Sequence, residues 1–154
     1  MWPFKKKHLP IETLDDDNHK WSIAEAKGNG GPMIVRFNET AKSWAKHPAL
    51  DIRVGFAVPL KQANPDGLPV PEENHELSLV EDSILSQVRK LGPSVQVLAI
   101  TTGTFKEFVF YVGNAAGIAD VHKQIMSDVT SHEVQCVAER DPKWSVYDVF
   151  ARSA

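Results

Sequence analysis

The chain of 154 residues is long enough for one domain of ordinary size with its own hydrophobic core. Its 42% apolar and 24% charged residues are typical of a soluble globular protein and exclude a disordered or membrane-embedded chain. Seventeen basic and twenty acidic side chains give a formal net charge of −3, so no overall positive field would attract nucleic acid.

Residues 1–20 are predicted to form a partly ordered tail, and residues 21–154 a single α+β domain. The tail contains lysines but no apolar run of the length found in a secretory signal, and no stretch is apolar enough to span a bilayer. Cys136 is the single cysteine, so an internal disulfide cannot form. We therefore expect a cytoplasmic protein, with Cys136 buried in a strand.

The regular part of the chain begins with a predicted β-hairpin. Two short strand-like runs, the first starting at Trp21, flank the turn residues from Gly28 to Pro32. These glycines do not form a phosphate loop, because the following "MIVRF" is typical of a strand and not of a helix. Farther along, apolar residues alternate with polar or small ones from Ile52 to Val58, which predicts a strand with one buried face.

Helical spacing then appears twice. The segment "PEENHELSLVEDSILSQVRKLGP" carries an apolar stripe made of Leu77, Val80, Ile84, Val88 and Leu91. A second helix is predicted in "AAGIADVHKQIMSDV", with an inward stripe of Ile118, Val121, Ile125 and Val129. Between the helices, "SVQVLAITTGTFKEFVFYVGN" predicts two strands around a turn, and "SHEVQCVAERD" predicts the last strand.

After the first hairpin, the order of elements is strand, helix, strand, strand, helix, strand. This order predicts a ferredoxin-like βαββαβ sandwich of the α+β class, whose antiparallel sheet carries both helices on one face. The N-terminal hairpin would extend this sheet or pack on it. The sheet face opposite the helices would then be open.

No residue pattern indicates a metal, cofactor or catalytic site. The six histidines occur singly, without the spacing that places two ligands on one helix face or loop. The acidic run from Asp15 to Asn18 lacks the glycine and the glutamate that a calcium loop requires. A buried Cys136 would be a poor nucleophile. The sequence therefore predicts no cofactor, and it favours a non-enzymatic protein over an enzyme.

Binding of RNA or a small ligand on the open sheet face is the alternative function. RNA-recognition motifs share this strand order and stack bases on aromatic residues of their third strand. Here Phe108, Val109 and Tyr111 match the end of that pattern, while its first four specified positions do not match. Nucleic acid is therefore a disfavoured partner. A ligand on this face would contact Arg53 and Tyr111.

The C-terminal stretch "ERDPKWSVYDVF" places a Trp and a Tyr three residues apart, directly after the last strand. Pro142 ends that strand, and Asp141 can cap a short turn that carries Trp144 and Tyr147 on one side. The two rings would either fold back over the core as a clasp or form an exposed binding site. We favour the clasp, because aromatic residues usually supply packing area.

The ending D-P-x-W-x-x-Y resembles that of a family of uncharacterised, mainly bacterial domains of unknown function. The other matching segments are Trp21, "LVEDSIL" at 79–85 and "ITTGTFKEFVFYV" at 100–112. The resemblance covers residues 21–150, and the chain departs from the family's apolar ending after Tyr147. Members of this family are sometimes fused to a domain similar to the regulator B of ribonuclease E, which acts by binding an enzyme. The resemblance thus implies regulation by protein contact and assigns no catalytic residues.

We therefore expect a domain of unknown function that acts as a non-enzymatic regulatory or protein-interaction domain. Its partner would be a protein. A homodimer that forms through an uncovered sheet edge or face is a further alternative. The candidate binding or structural residues are Trp21, Arg53, Tyr111, Asp141, Trp144 and Tyr147.

Overall fold

The computed structural model describes residues 8–15, 18–28 and 31–152. Within these ranges the strands are β1 (Trp21–Gly28), β2 (Gly31–Asn38), β3 (Ile52–Pro59), β4 (Ser94–Thr101), β5 (Phe105–Val112) and β6 (Gln135–Arg140). The α-helices are α1 (Pro71–Val88), α2 (Ile118–Asp128) and α3 (Ser145–Arg152). Short 3₁₀ turns occur at Ile11–Thr13, Thr40–Trp44 and Arg89–Leu91. Part of the predicted N-terminal tail, residues 1–7, lies outside the described residues. So do residues 16 and 17 of the acidic run that was compared with a calcium loop.

The strands form one antiparallel sheet in the order β1-β2-β4-β5-β3-β6. Strands β3 and β4 are connected through α1, and β5 lies between them in the sheet. Strands β5 and β6 are connected through α2, with β3 between them. This interleaving gives two split βαβ units, the pattern predicted from the order of elements. The prediction of an α+β fold with an antiparallel sheet and an added hairpin is confirmed.

Helices α1 and α2 cover one face of the sheet, called here the helix side. The predicted apolar stripes of both helices are buried against alternate residues of β3 and β5, among them Val54, Phe56, Val58, Phe108 and Phe110. The strand residues spaced by two and the helix residues spaced by about 3.6 thus pack together in one core. No described helix has both the length and the apolar character needed to cross a membrane.

The opposite face of the sheet is covered at its centre, contrary to the prediction of an open face. Helix α3 and the turn Thr40–Trp44 pack there on a second buried cluster that includes Leu98, Val109 and Tyr111. The sequence predicts only a short turn for the tail. The eight residues of α3 are too few to show a helical period clearly in the sequence. Only the spacing of Trp144 and Tyr147 indicates which side of this segment is apolar.

Cys136 is only partly buried, which corrects the prediction of a buried cysteine. Strand β6 pairs with β3 alone among the described strands and forms an edge of the sheet, so most of its residues are exposed. The partial burial still raises the pKa of the Cys136 thiol to about 11. The thiol is therefore protonated near neutral pH, as a weak nucleophile would be.

The hairpin of β1 and β2 projects beyond the helical layer. Within the described residues, β2 pairs with β4 from Ile34 to Phe37 alone, and β1 pairs with β2 alone. At the start of β2, a Cβ on Gly31 would lie 2.4 Å from the carbonyl oxygen of Pro65, so only glycine permits this close approach of the two chains. On the helix-side face of the hairpin, α1 approaches through Glu81, which pairs with Arg36.

Leu77→Ala should lower the free energy of unfolding by about 2–5 kcal/mol, because Leu77 is fully buried on the sheet-facing side of α1 and the shorter side chain leaves a cavity. Leu79→Ala is the matched control on the same helix, since Leu79 is 55% exposed, and it should change stability by less than about 0.5 kcal/mol. Urea unfolding of both variants measures the difference. Equal losses would contradict the assignment of the buried face of α1.

Candidate functional site

The aromatic residues of the tail are packed inside the protein. Trp144 is 1% exposed and stacks on Tyr111, with ring centroids 4.1 Å apart and an interplanar angle of 8°. Tyr147 meets the same indole edge-on at 5.6 Å. The indole nitrogen of Trp144 also donates a hydrogen bond of 2.8 Å to the carbonyl oxygen of Leu50. These residues form a three-ring cluster that fastens α3 to the sheet, called here the aromatic clasp.

Asp141 connects the end of β6 to the aromatic clasp. Its carboxylate accepts a 2.6 Å hydrogen bond from the hydroxyl of Tyr111, and 3.0 Å and 2.7 Å bonds from the backbone nitrogen and hydroxyl of Ser145. The bonds from Ser145 satisfy backbone and side-chain donors in the first turn of α3. Burial alone would raise the pKa of Asp141, but the hydrogen bonds from Tyr111 and Ser145 outweigh it and hold the pKa below its ordinary value.

The two tyrosine hydroxyls are committed to internal hydrogen bonds. Burial is the main cause that raises the pKa of Tyr111, and the hydrogen bond to Asp141 adds to it. Tyr147 donates a 2.6 Å hydrogen bond to the carbonyl oxygen of Asn38, and burial raises its pKa to about 12. Neither tyrosine ring is exposed enough to stack on an outside base, since both are at most 2% exposed.

Backbone strain at Trp144 shows how strongly the aromatic clasp is held. Trp144 has a φ of 54°, in the left-handed region that large side chains rarely adopt. Such a conformation costs about 1 kcal/mol or more and persists only where the surroundings determine it. The stacking on Tyr111 and the hydrogen bond to Leu50 offset this cost. The strained residue lets the chain turn from Asp141 directly into α3.

Arg53 lies beside the aromatic clasp, whereas Trp21 lies on the other face of the sheet. Arg53 lies opposite Tyr111 in the ladder of β3 and β5, on the clasp side of the sheet, and forms an ion pair of 2.9 Å with Glu139. The structure therefore brings Arg53, Tyr111, Asp141, Trp144 and Tyr147 close together. Trp21 belongs to the hairpin and faces the helix side, where it lines a cavity.

A groove lies between the projecting hairpin and α1, called here the hairpin groove. Its polar end is a cavity of about 300 Å³ lined by His19, Trp21, Arg36, Glu81, Gln96 and neighbouring residues. Its apolar end is a cavity of about 360 Å³ lined by Ile23, Ile34, Leu68, Pro69, Lys106 and others. Arg36 lines both cavities. Each is within the size range of sites that take small ligands or side chains of a partner.

Arg36 and Glu81 form an ion pair across the middle of the hairpin groove. The guanidinium of Arg36 also lies 5.0 Å from the ring centroid of Trp21, a cation–π contact. The carboxylate of Glu81 accepts a second hydrogen bond, of 2.8 Å, from the side chain of Gln96. These contacts hold the hairpin at a fixed distance from α1 and keep the groove formed.

Lys106 lies on the floor of the apolar end. Its ammonium group is 5.7 Å from the ring centroid of Phe108. Burial is the main cause that lowers the pKa of Lys106; Glu81 opposes this shift, and Arg36 adds to it. The charges of Lys106 and Arg36 thus compete for one carboxylate.

A buried pair of Glu73 and His132 was missed by the sequence analysis. The Nε2 atom of His132 lies 2.6 Å from the carboxylate of Glu73, which also accepts hydrogen bonds from the backbone nitrogens of Lys61 and Gln62. Burial alone would raise the pKa of Glu73, but these hydrogen bonds, led by that of His132, lower it. No local signal could have found a pair 59 residues apart in the chain.

The chain Ser131–His132–Glu73 contains the residue types of a hydrolytic triad. Ser131 Oγ lies 2.9 Å from His132 Nδ1, and the imidazole is held between this hydroxyl and the carboxylate. The His132 side chain is fully buried, so no ring surface is open to a substrate. We interpret the pair as a tie between the start of α1 and the loop before β6. Among the described residues, no group of His, Cys, Asp and Glu could hold a metal ion.

Comparison with protein families adds one finding. The model of DUF695, a family of unknown function, matches residues 19–150. The chain belongs to this family. The DUF695 match extends from just before β1 into α3, and so includes both the hairpin groove and the aromatic clasp. No curated protein and no solved structure matched the chain.

Trp144→Ala should lower the free energy of unfolding of this DUF695 chain by about 3–5 kcal/mol, because it removes a buried ring, its stacking on Tyr111 and the bond to Leu50. Val149→Ala in the same helix is the control, since Val149 is 63% exposed. Thermal and urea unfolding measure both variants. A Trp144→Ala variant as stable as the control would refute a structural role for the clasp.

Glu73→Gln should lower stability near neutral pH and have little effect in acid. The folded-state pKa of Glu73 lies below its ordinary value of 4.5, so its carboxylate stabilises the fold above that pH. This contribution is lost as the pH falls through the folded-state pKa. We expect a deficit of about 2 kcal/mol at pH of about 6 that shrinks at pH of about 3.

Urea unfolding of wild type and Glu73→Gln at several pH values measures this deficit. The exposed neighbour Glu133 supplies the control variant, Glu133→Gln, which should show no deficit at either pH. A deficit that grows in acid would contradict the direction of the pKa shift at Glu73.

Proposed function

We propose that this DUF695 domain is a non-enzymatic protein-interaction domain that binds its partner at the hairpin groove. The observation that carries the proposal is the projecting hairpin: it extends the sheet past α1 and leaves a formed groove with an exposed apolar wall. Ile23 on that wall is 71% exposed, although it sits in the middle of a strand. Together with Ile34, Leu68 and Pro69, Ile23 forms a contiguous apolar surface beside a cavity, as an interaction site would offer.

The edge of the hairpin supports the same proposal. Strand β1 pairs only with β2 among the described strands, so its outer edge presents backbone donors and acceptors to solvent. Such an edge can accept an added strand from a partner, while a neighbouring groove takes alternate side chains of that strand. The hairpin offers both features side by side.

The buried ionisable groups support a binding role over a catalytic one. Asp141 and Glu73 are each held by several hydrogen bonds from their own chain, and His132 is fully enclosed. These groups hold elements together and present no free base or nucleophile to a substrate. The alternative of a ligand or RNA on the sheet face around Arg53 is weakened, because Trp144 covers Tyr111.

The finer parts of the proposal come from the resemblance noted in the sequence. The resemblance implies a regulatory role in a bacterial protein, because members of that family are expected to be fused in some cases to a domain similar to the regulator B of ribonuclease E, and the composition predicts a cytoplasmic location. In that case the partner would be an enzyme whose activity changes on binding. Self-association stays a prediction, and gel filtration with light scattering measures it.

Affinity capture with groove variants tests the proposed function. The tagged full chain is incubated with nuclease-treated lysate of its own cells, as wild type and as Ile23→Asp. A charge on the exposed wall should reduce capture of a specific protein by about tenfold or more, because it must be desolvated in the complex. Mass spectrometry of the retained proteins measures this ratio.

Val137→Asp is the matched control for this capture. Val137 is also an exposed apolar residue on an edge strand, but it lies in β6 at the opposite edge of the sheet. A partner that is lost with Val137→Asp and retained with Ile23→Asp would place the interaction elsewhere. A partner whose capture ends with nuclease treatment would favour the RNA alternative.

A further inference from the structure

At its apolar end, the hairpin groove places two cations, Arg36 and Lys106, near one carboxylate, that of Glu81. Arg36 and Lys106 both line its apolar end, and the carboxylate of Glu81 pairs with Arg36. Glu25 and Lys27 of β1 line an adjoining cavity together with Ile34 and Leu68, and they contribute one charge of each sign. Among the described residues, no carboxylate lies within ion-pair distance of Lys106. The apolar end therefore carries an excess of one cation.

The position of Lys106 is unfavourable for a lysine that serves only stability. Its side chain is partly buried over Phe108, and loss of water around the ammonium group lowers its pKa. A surface lysine would extend into solvent and avoid this cost. A partly desolvated charge that lines a cavity and has no close ion pair is a candidate binding residue.

Aliphatic side chains line the cavity around Lys106 on two sides, and Arg36, Asn74 and Thr101 supply polar groups. Ile23 and Ile34 lie on the hairpin, and Leu68 and Pro69 precede α1 on the other side. The cavity thus has a cationic floor between aliphatic walls. A complementary ligand would carry an anionic group next to aliphatic groups, and charge complementarity would select it against neutral or basic ligands.

We propose that the apolar end of the hairpin groove binds an acidic, aliphatic segment of the partner protein, whose Asp or Glu carboxylate pairs with Lys106. The neighbouring aliphatic side chain of that segment packs on Ile23 and Leu68. This inference rests on the proposed function, since it names the chemistry that the interaction domain recognises.

Selection from a random-peptide phage library tests the inference. The full chain is the bait, and Lys106→Met is the second bait, because Met keeps the side-chain length and removes the charge. We expect the wild type to enrich peptides that contain Asp or Glu beside an aliphatic residue. The same peptides should bind Lys106→Met about tenfold more weakly or worse. Lys123→Met, on the exposed face of α2, should bind them as the wild type does.

A double-mutant cycle then assigns the contact. The best peptide and its Glu→Gln or Asp→Asn version are titrated against wild type and Lys106→Met by calorimetry. The amide peptide should lose about tenfold on the wild type and almost nothing on Lys106→Met. Free acetate is a further competitor, tested in buffers of constant ionic strength. It should not displace the peptide, because acetate lacks the aliphatic contact.

Three results would overturn the inference: no enriched peptide, enriched peptides without an acidic residue, or equal binding by wild type and Lys106→Met. If the capture of a protein still depends on Ile23, these results refute only the acidic recognition and leave the interaction domain standing. If capture is also independent of Ile23, both proposals fail. Thermal unfolding should show Lys106→Met at least as stable as wild type, because an unpaired, partly buried charge has been removed.

Discussion

The burial of β5 on both faces is the constraint on which the rest of this structure depends. From Phe108 to Val112 every side chain of the strand is buried, alternately beneath the helices and beneath the tail. A strand at the centre of the sheet needs cover on both sides, and the chain supplies the second cover with α3. Tyr111 therefore packs under Trp144. The centre of the sheet on this side is thus filled by the chain's own side chains.

Asp141, the residue after β6, makes this second cover possible because its carboxylate has two structural roles. It caps α3 through Ser145 and accepts the hydrogen bond of Tyr111. The strained backbone of Trp144 then turns the chain back over the sheet. Strand, helix and aromatic stack are thus linked through a single buried charge, whose ionised form is favoured by these hydrogen bonds.

The sequence predicted those features that repeat locally along the chain. The alternation in β3 and the stripe of α1 determined which residues are buried, and the order of elements determined the sheet topology. Helix α3 was missed because it is short. The pairs Glu73–His132 and Arg36–Glu81 were missed because their members are 59 and 45 residues apart, and contact between them depends on strand register and helix placement. The hairpin groove itself follows from how few residues of β2 pair with β4.

The central claim is that the aromatic clasp is structural and the hairpin groove is the binding surface. Hydrogen–deuterium exchange of the full chain, alone and with its captured partner protein, tests this claim most directly. The account predicts new protection of backbone amides in β1, from Trp21 to Gly28, and unchanged exchange in α3. New protection confined to α3 and the turn Thr40–Trp44 would contradict it, because the partner would then bind over the clasp.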